Sequence, residues 1–195
     1  IVVIEDTSEL HIKKPNMLAV ECQTDTFKAN VTFDDLLKSA LRWRPDRIIL
    51  GEVRGIEART LLDSLNTGHA GSLATIHANS AEKALHRFAN LVMRNHAQST
   101  VIDTEAELAE AVDFIVHVGD IKNGQSPCDD AVFAARHALF DASRVPFVYL
   151  PGDNEWTDCW RQSNGAYAPQ ERLAKLRQLF WHEPYSLGQR RLPLE

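Results

Sequence analysis

Arg44-Pro-Asp-Arg-Ile-Ile-Leu-Gly-Glu-Val-Arg-Gly55 decides the fold. Pro45 stops whatever helix precedes it. Arg47-Ile-Ile-Leu50 then enters a buried strand, and the strand runs straight into Gly51 and Glu52. A carboxylate at the carboxyl end of a buried parallel strand lies where ligands bind in open α/β sheets. Two further segments repeat this plan: Ile1-Val-Val-Ile-Glu5-Asp6-Thr-Ser-Glu9 upstream, and Gly68-His-Ala-Gly-Ser-Leu-Ala-Thr-Ile-His-Ala-Asn-Ser80 downstream.

The stretches between them read as amphipathic helices and short strands. Met17–Cys22 and the Phe27–Val31 region form a short β excursion. Thr32 with Asp35 makes a capping box in which Asp replaces the usual Glu or Gln. Phe33, Leu36, Leu37, Ala40 and Leu41 fall on one face of the helix that follows. A second helix covers Ile56–Asn66 and closes at Gly68. Ser72–His77 is a third strand, and Ser80 caps a helix carrying Ala84, Leu85, Phe88, Leu91 and Val92. The acid-headed helix Asp103–Val112 leads into the strand Phe114–Val118. The fold class is α/β throughout, with a mostly parallel sheet over 1–118.

Bulk properties narrow the function. Hydrophobic residues make up 44% and charged residues 25% of the 195 positions, as in a globular chain. A net charge of −6 gives no basic footprint for direct, sequence-specific nucleic-acid binding. No apolar run approaches the roughly 20 residues of a membrane-spanning helix. The opening Ile-Val-Val-Ile-Glu-Asp has neither the basic region nor the cleavage site of a signal peptide. The chain starts inside an apolar run without a methionine, which is expected of a piece of a longer protein. Cys22, Cys128 and Cys159 match no zinc spacing, and their odd number argues against a disulfide framework. A reducing, cytoplasmic setting is therefore expected.

Two acids on neighbouring strand ends can hold Mg²⁺ through water and orient an attacking water. Arg54 and the histidines can supply donors for charge developing on a phosphoryl group. Taken one at a time the signals have plainer readings. An acid after a strand is usually a solvated loop residue, His69 suits capping or packing, and Arg42, Arg44 and Arg47 suit a solvated face. Order and spacing carry the functional reading.

In that order and spacing, residues 1 to about 118 resemble the type II/IV secretion ATPase superfamily, and most closely the TrbB-like conjugative-transfer ATPases. Ile4-Glu5-Asp6 with Glu9 matches the family's Asp box, and RPDRIILGEVRG matches its Walker B segment, with Glu52 at the characteristic position. NTGHAGSLATIHANSA matches its His box, and AEAVDFIVHV matches the strand that follows. The resemblance implies part of a RecA-like core that uses ATP and Mg²⁺ to power DNA or protein transfer or pilus assembly. It also implies a homo-hexamer, located in the cytoplasm at the inner-membrane face and partnered with the secretion or conjugation machinery. By resemblance Glu5, favoured over Glu9, orients or activates water, Glu52 acts on the Mg²⁺ side and His77 senses the γ-phosphate. Arg54 links the state of the site to a neighbouring subunit, and Asp6, Glu9, Arg54 and His69 line the bound nucleotide. The phosphate-binding loop GxxxxGK[ST], due before the Asp box, is absent from the sequence; Lys38-Ser39 lacks the glycines. This chain by itself is therefore expected not to bind ATP productively.

From about Val116 the texture changes. Asp120–Asp130 is polar and turn-rich, and Asp129–Ser143 is helical with an apolar stripe of Ala131, Ala134, Ala135, Ala138 and Leu139. Pro146–Leu150 is a strand, Pro151–Trp156 a sharp acidic turn, and Gln170–Trp181 a last amphipathic helix. Gly119-Asp120 and Gly152-Asp153 each put an aspartate after a strand, where it can serve as a hard oxygen ligand. Asp113–Leu187 resembles the calcineurin-like metallophosphoesterases, with Gly119-Asp120 and Asn123 fitting GDxx[DN], and Gly152-Asp-Asn-Glu155 standing in place of GNH[DE]. The resemblance makes Asp120, Asp153 and Asn154 candidate ligands for divalent metals such as Mn²⁺ or Fe. Asn154 replaces the usual histidine, and the family's other His-bearing motifs are missing, so weak binding and no phosphatase turnover are expected.

The sequence thus reads as a chimera. Residues 1–118 are the back half of a RecA-like ATPase domain and 119–195 a phosphoesterase-like segment. Three functions follow: an ATPase piece that works once its upstream half is supplied, a phosphoesterase remnant, or a non-catalytic module that docks onto intact subunits.

Overall fold

Val2–Glu5 (β1) is buried along its whole length, as a strand covered on both faces must be. The computed structural model describes residues 1–23, 29–69, 71–78, 81–94 and 100–194, with 81 and 82 by backbone alone. Two compact units emerge, Ile1–Asn79 with Lys83–Ala111, and Ser80–Glu82 with Val112–Glu195.

In the first unit β1 pairs in parallel with Leu18–Glu21 (β2) on one side and Ile48–Leu50 (β3) on the other. Leu73–Ala74 (β4) adds to the far side of β3, giving the order β2-β1-β3-β4. Four helices accompany this sheet: Phe33–Arg42 (α1), Glu57–Asn66 (α2), Ala81–Met93 (α3) and Val101–Ala111 (α4). Ile4, Leu37, Ile48, Leu50 and Leu62 are wholly buried at its core.

The Thr32–Asp35 capping box is present in full. The Asp35 amide donates to Thr32 Oγ1 at 3.2 Å, and the Thr32 amide donates to Asp35 Oδ2 at 3.0 Å. Both pairs satisfy donors that a helix start leaves open. Thr32→Ala should therefore cost about 1 kcal/mol of first-unit stability in urea titrations. Asp34 locks α1 to α2, accepting from Thr60 Oγ1 at 2.6 Å and from Lys38 Nζ at 2.6 Å.

Several expectations change. Instead of running from Ser72 to His77, the third strand is limited to Leu73–Ala74. Thr75 turns toward the neighbouring loop, where its carbonyl accepts from the Val53 amide at 2.8 Å and its hydroxyl donates to the Gly51 carbonyl at 2.5 Å. Gln23 and Val31 form an antiparallel bridge within the expected β excursion, whereas Phe27, Lys28 and the cap at Ser80 lie outside the described residues.

The strand Ile115–Val118 (β5) does not join the first sheet. It pairs in parallel with Phe147–Leu150 (β6) in a sheet of its own, so the division between units falls at 111/112. Alternation turns Ile115 and His117 toward the second unit's aromatic core and leaves Val116 and Val118 exposed. With Leu150 and Phe114 they form an open apolar face. Parallel sheets normally have both faces covered, so this face is an aggregation liability.

Asp130–Asp141 (α5) and Pro169–Phe180 (α6) complete the second unit. The alanine stripe of α5 faces outward: Ala131, Ala134, Ala135 and Ala138 are exposed, while Phe133 and Phe140 are buried. Two phenylalanines bury far more area than four alanines, and their seven-residue spacing sets the inward face. Phe140, Phe147, Tyr149, Phe180 and Trp181 stack into one aromatic cluster, with ring centroids 4.5 Å apart for Phe140 and Phe147 and 4.7 Å for Tyr149 and Phe180.

The expectation of no disulfide also fails. Cys128 and Cys159 are bonded, with Cα atoms 5.8 Å apart and both residues fully buried, while Cys22 is free. Parity misleads here because one cysteine belongs to the first unit and the other two to the second. Arg172 reinforces the same junction, donating to the Cys128 carbonyl at 2.9 Å and to Asp130 at 2.8 Å, with its guanidinium 4.3 Å from the Tyr167 ring centre.

His117 and His137 each hold a buried Nε2 with no hydrogen-bond partner among the described residues. Burial lowers the pKa of both below the ordinary 6.5. Between the lowered folded value and 6.5 the unfolded chain binds more protons, so stability rises with pH in that window. The second unit should therefore unfold at lower urea at pH 5.5 than at pH 7.5, and His117→Phe should flatten that dependence.

Candidate functional site

Parallel pairing brings all three motifs to one end of the first sheet. Ile4 stands beside Leu50, and Leu50 beside Ala74. The Gly51 amide donates to the Ile4 carbonyl at 2.8 Å, so Glu5-Asp6 and Gly51-Glu52 leave adjacent strand ends together.

Glu5 is only 4% exposed. One of its oxygens, Oε1, accepts from the amides of Glu9 at 3.0 Å and Leu10 at 2.9 Å. The carboxylate thus folds the loop after β1 over itself. Glu9 contributes its backbone to this turn, and its side chain is exposed. Asp6 pairs with Arg54, its Oδ2 lying 2.7 Å from Nη2, and Glu52 Oε2 stands 4.0 Å from Arg54 Nη1. The guanidinium also lies 5.2 Å from the Phe33 ring centre, and Asp6 raises its pKa further. Arg54 therefore bridges the first two motifs.

The histidines stand apart from this ion-pair network. His69 Nδ1 lies 3.1 Å from the Ser64 carbonyl, next to the end of α2, so it serves as a capping histidine in this structure. His77 is exposed and makes no hydrogen bond or ion pair among the described residues.

Two contributors escaped the sequence reading. Thr75 ties the third motif to the second, as described above. Glu57, buried at the start of α2, accepts from the Arg54 amide at 2.6 Å and the Gly55 amide at 2.7 Å. An acid in the first turn of a helix was the available signal. Cys22 follows β2 at the same sheet end, and its thiol pKa is raised by burial and by Asp6.

In the second unit both Gly-Asp turns leave the same end of β5 and β6, since Val118 pairs with Leu150. They approach so closely that a Cβ on Gly152 would lie 2.3 Å from Asp120 Oδ1 and 2.6 Å from its amide nitrogen, leaving room only for glycine. Asp120 itself adopts a φ of 55°. Beneath the turn Glu155 is fully buried, accepting from Tyr149 Oη at 2.5 Å and the Gly152 amide at 2.6 Å, and burial raises its pKa.

This donor set does not fit the expected metal centre. Asp120 and Asp153 are exposed, the Asp153 carbonyl accepts from the Asp158 amide at 3.0 Å across the start of the 3₁₀ turn Thr157–Trp160, and Asn154 Nδ2 donates to the Lys122 carbonyl at 3.4 Å. Lys122 is buried beside these turns, its Nζ donating to the Asn123 carbonyl at 3.1 Å, and burial lowers its pKa. Among the described residues no group of three His, Cys, Asp or Glu side chains is placed to hold a metal.

The profile of the family described as Type II/IV secretion system protein matches residues 1–142. The chain belongs to that family. It is 42% identical over 118 residues to the conjugal transfer protein TrbB of Rhizobium radiobacter, covering 60% of this chain and 34% of the relative. It is 37% identical over 119 residues to the type IV secretion system protein VirB11 of Bartonella quintana, covering 60% and 33%. Among solved structures it resembles the VirB11 ATPase of the Brucella suis type IV secretion system in complex with sulphate, with a TM-score of 0.51, 34% identity, and coverage of 57% and 33%. The chain thus spans about a third of the length of these relatives. Mixed α/β structure with parallel sheets fits a partial RecA-like core. The family match also runs through Gly119-Asp120 and α5, past the point where the two resemblances in the sequence meet. No helix among the described residues is long and apolar enough to cross a membrane.

Proposed function

We propose that the first unit is the carboxylate-bearing side of an ATP-hydrolysing site in a conjugative-transfer ATPase. The observation that carries this reading is the Asp6–Arg54–Glu52 arrangement beside buried Glu5, at the carboxyl ends of adjacent parallel strands. Mg²⁺-ATP supplies the phosphoryl group and the cation that neutralises its oxygens. Glu52, at the strand end and partly exposed, would face the cation. Glu5 Oε2 would orient water, and Arg54 would report the state of the site to a neighbouring subunit of a hexamer. His77 would meet the γ-phosphate. DNA or protein transfer, or pilus assembly, at the cytoplasmic face of the inner membrane would draw on this hydrolysis.

The 195-residue sequence holds no GxxxxGK[ST] loop, so productive ATP binding is expected only when it is joined to the phosphate-binding half of a relative. Fused in frame behind the phosphate-binding half of a TrbB-type relative, the folded product should bind a fluorescent ATP analogue in the presence of Mg²⁺, while the 195-residue chain should not. A folded fusion without nucleotide binding contradicts the proposal.

A second reading rests on the paired Gly-Asp turns of β5 and β6. We infer from these turns that the second unit is a remnant of a calcineurin-like metallophosphoesterase, expected to bind divalent metal only weakly. Mn²⁺-dependent hydrolysis of a generic phosphoester by the chain would support the phosphoesterase reading, and tight, stoichiometric Mn²⁺ binding by calorimetry would overturn the expectation of weak binding.

A further inference from the structure

Arg54 is half exposed, on a loop between β3 and α2, yet its side chain has one defined station, between Asp6, Glu52 and the Phe33 ring. A long side chain on a loop loses such a station unless its backbone is fixed. Two anchors fix it. Thr75 holds the start of the loop, its hydroxyl donating to the Gly51 carbonyl at 2.5 Å and its carbonyl accepting from the Val53 amide at 2.8 Å. Glu57 holds the end, one carboxylate oxygen accepting both the Arg54 and the Gly55 amides at 2.6 and 2.7 Å.

Glu57 is only 4% exposed, and its helix has no side-chain cap from the residue before it. Charge-assisted bonds from two adjacent amides are among the stronger contacts available to a loop. Gly55 makes room for them, because a Cβ there would sit 2.9 Å from Glu57 Oε2.

We propose that Glu57 is a positioning residue for Arg54: its carboxylate clamps two consecutive amides and thereby aims the guanidinium at Asp6 and Glu52. The consequence for catalysis rests on the ATPase reading of this site; the clamp itself does not. Glu57 touches neither nucleotide nor water in this account, and acts through Arg54.

The test reads Arg54 directly in the 195-residue chain. Its side-chain Nε–Hε resonance is identified in ¹⁵N spectra by its loss in Arg54→Lys. Ion pairing and the Phe33 ring should set this resonance apart from solvent-exposed arginines. It should collapse onto them in Asp6→Ala and in Glu57→Ala, and stay in place in Glu57→Gln, whose amide oxygen still accepts both bonds. Where Glu57→Ala fails to fold by far-UV circular dichroism, Gly55→Ala replaces it, since the added methyl displaces the carboxylate without removing it. An Arg54 resonance unmoved in the folded variant overturns the proposal. In the fused, nucleotide-binding protein, Glu57→Ala should lower kcat about tenfold with KM unchanged, and Glu57→Gln should restore it. An equal loss in the Gln variant overturns the role in catalysis, and a fused parent without turnover overturns the ATPase reading while the resonance still decides the clamp.

Discussion

Cys159→Ser should lower the stability of the second unit by about 3–4 kcal/mol, the entropy cost released when a loop of this length is no longer closed. The cysteines are 31 residues apart, and the segment between them contains α5 and β6, so the cross-link restrains much of the unfolded unit. Both cysteines are fully buried, and the Tyr167 amide donates to the Cys159 carbonyl at 2.9 Å, just ahead of α6. Trp156 and Trp181 pack against the second unit's core and report its unfolding by fluorescence. The oxidised parent should unfold at clearly higher urea than the variant, and a reductant should bring the two curves together. Curves that overlay under oxidising conditions contradict the bond.

Glu52→Gln in the fused protein should reduce ATP turnover by roughly a hundred- to a thousandfold while leaving nucleotide binding largely intact, as expected for a group that stabilises charge developing in the transition state. The neighbouring carboxylates predict different outcomes, and the contrast makes the result informative. Asp6 already neutralises Arg54, so Asp6→Asn perturbs the arginine first. Glu5 holds the amides of Glu9 and Leu10, so Glu5→Ala leaves those donors unpaired and costs stability as well as rate, about 1–3 kcal/mol. Glu5→Gln keeps an acceptor and separates the two effects. A Glu52→Gln protein that turns over ATP at the parental rate removes Glu52 from the chemistry.

The sequence was informative where local chemistry decided the structure. The apolar run Val2–Glu5, the stop at Pro45, the Thr32–Asp35 box and the glycine after α2 each impose their element through a few neighbouring residues. Features set by distant partners were harder to see. The pairing of β5 with β6 depends on which edge is available to β5, which periodicity does not reveal. Facing helices preferred Phe133 and Phe140 over a continuous alanine stripe because buried area outweighs pattern. The disulfide joins two loops whose proximity only the fold creates.

The candidate site was legible in the same uneven way. Glu5, Asp6, Glu52 and Arg54 converge as their strand-end positions implied. His69 Nδ1 lies 3.1 Å from the Ser64 carbonyl near the end of α2, a contact of the kind that its plainer reading also named. Glu57 and Thr75 went unrecognised because they act through backbone groups, and the side-chain types alone do not show which amides they will meet. Asp120 and Asp153 follow the paired ends of β5 and β6, as the two Gly-Asp turns implied.

Phosphate release from Mg²⁺-ATP, measured side by side for the 195-residue chain and for its fusion to an upstream phosphate-binding half, tests the central claim most directly. The account predicts no release above background from the chain, and turnover by the fusion that Glu52→Gln removes. Magnesium-dependent turnover by the chain itself, or none by a folded fusion that binds nucleotide, would contradict it.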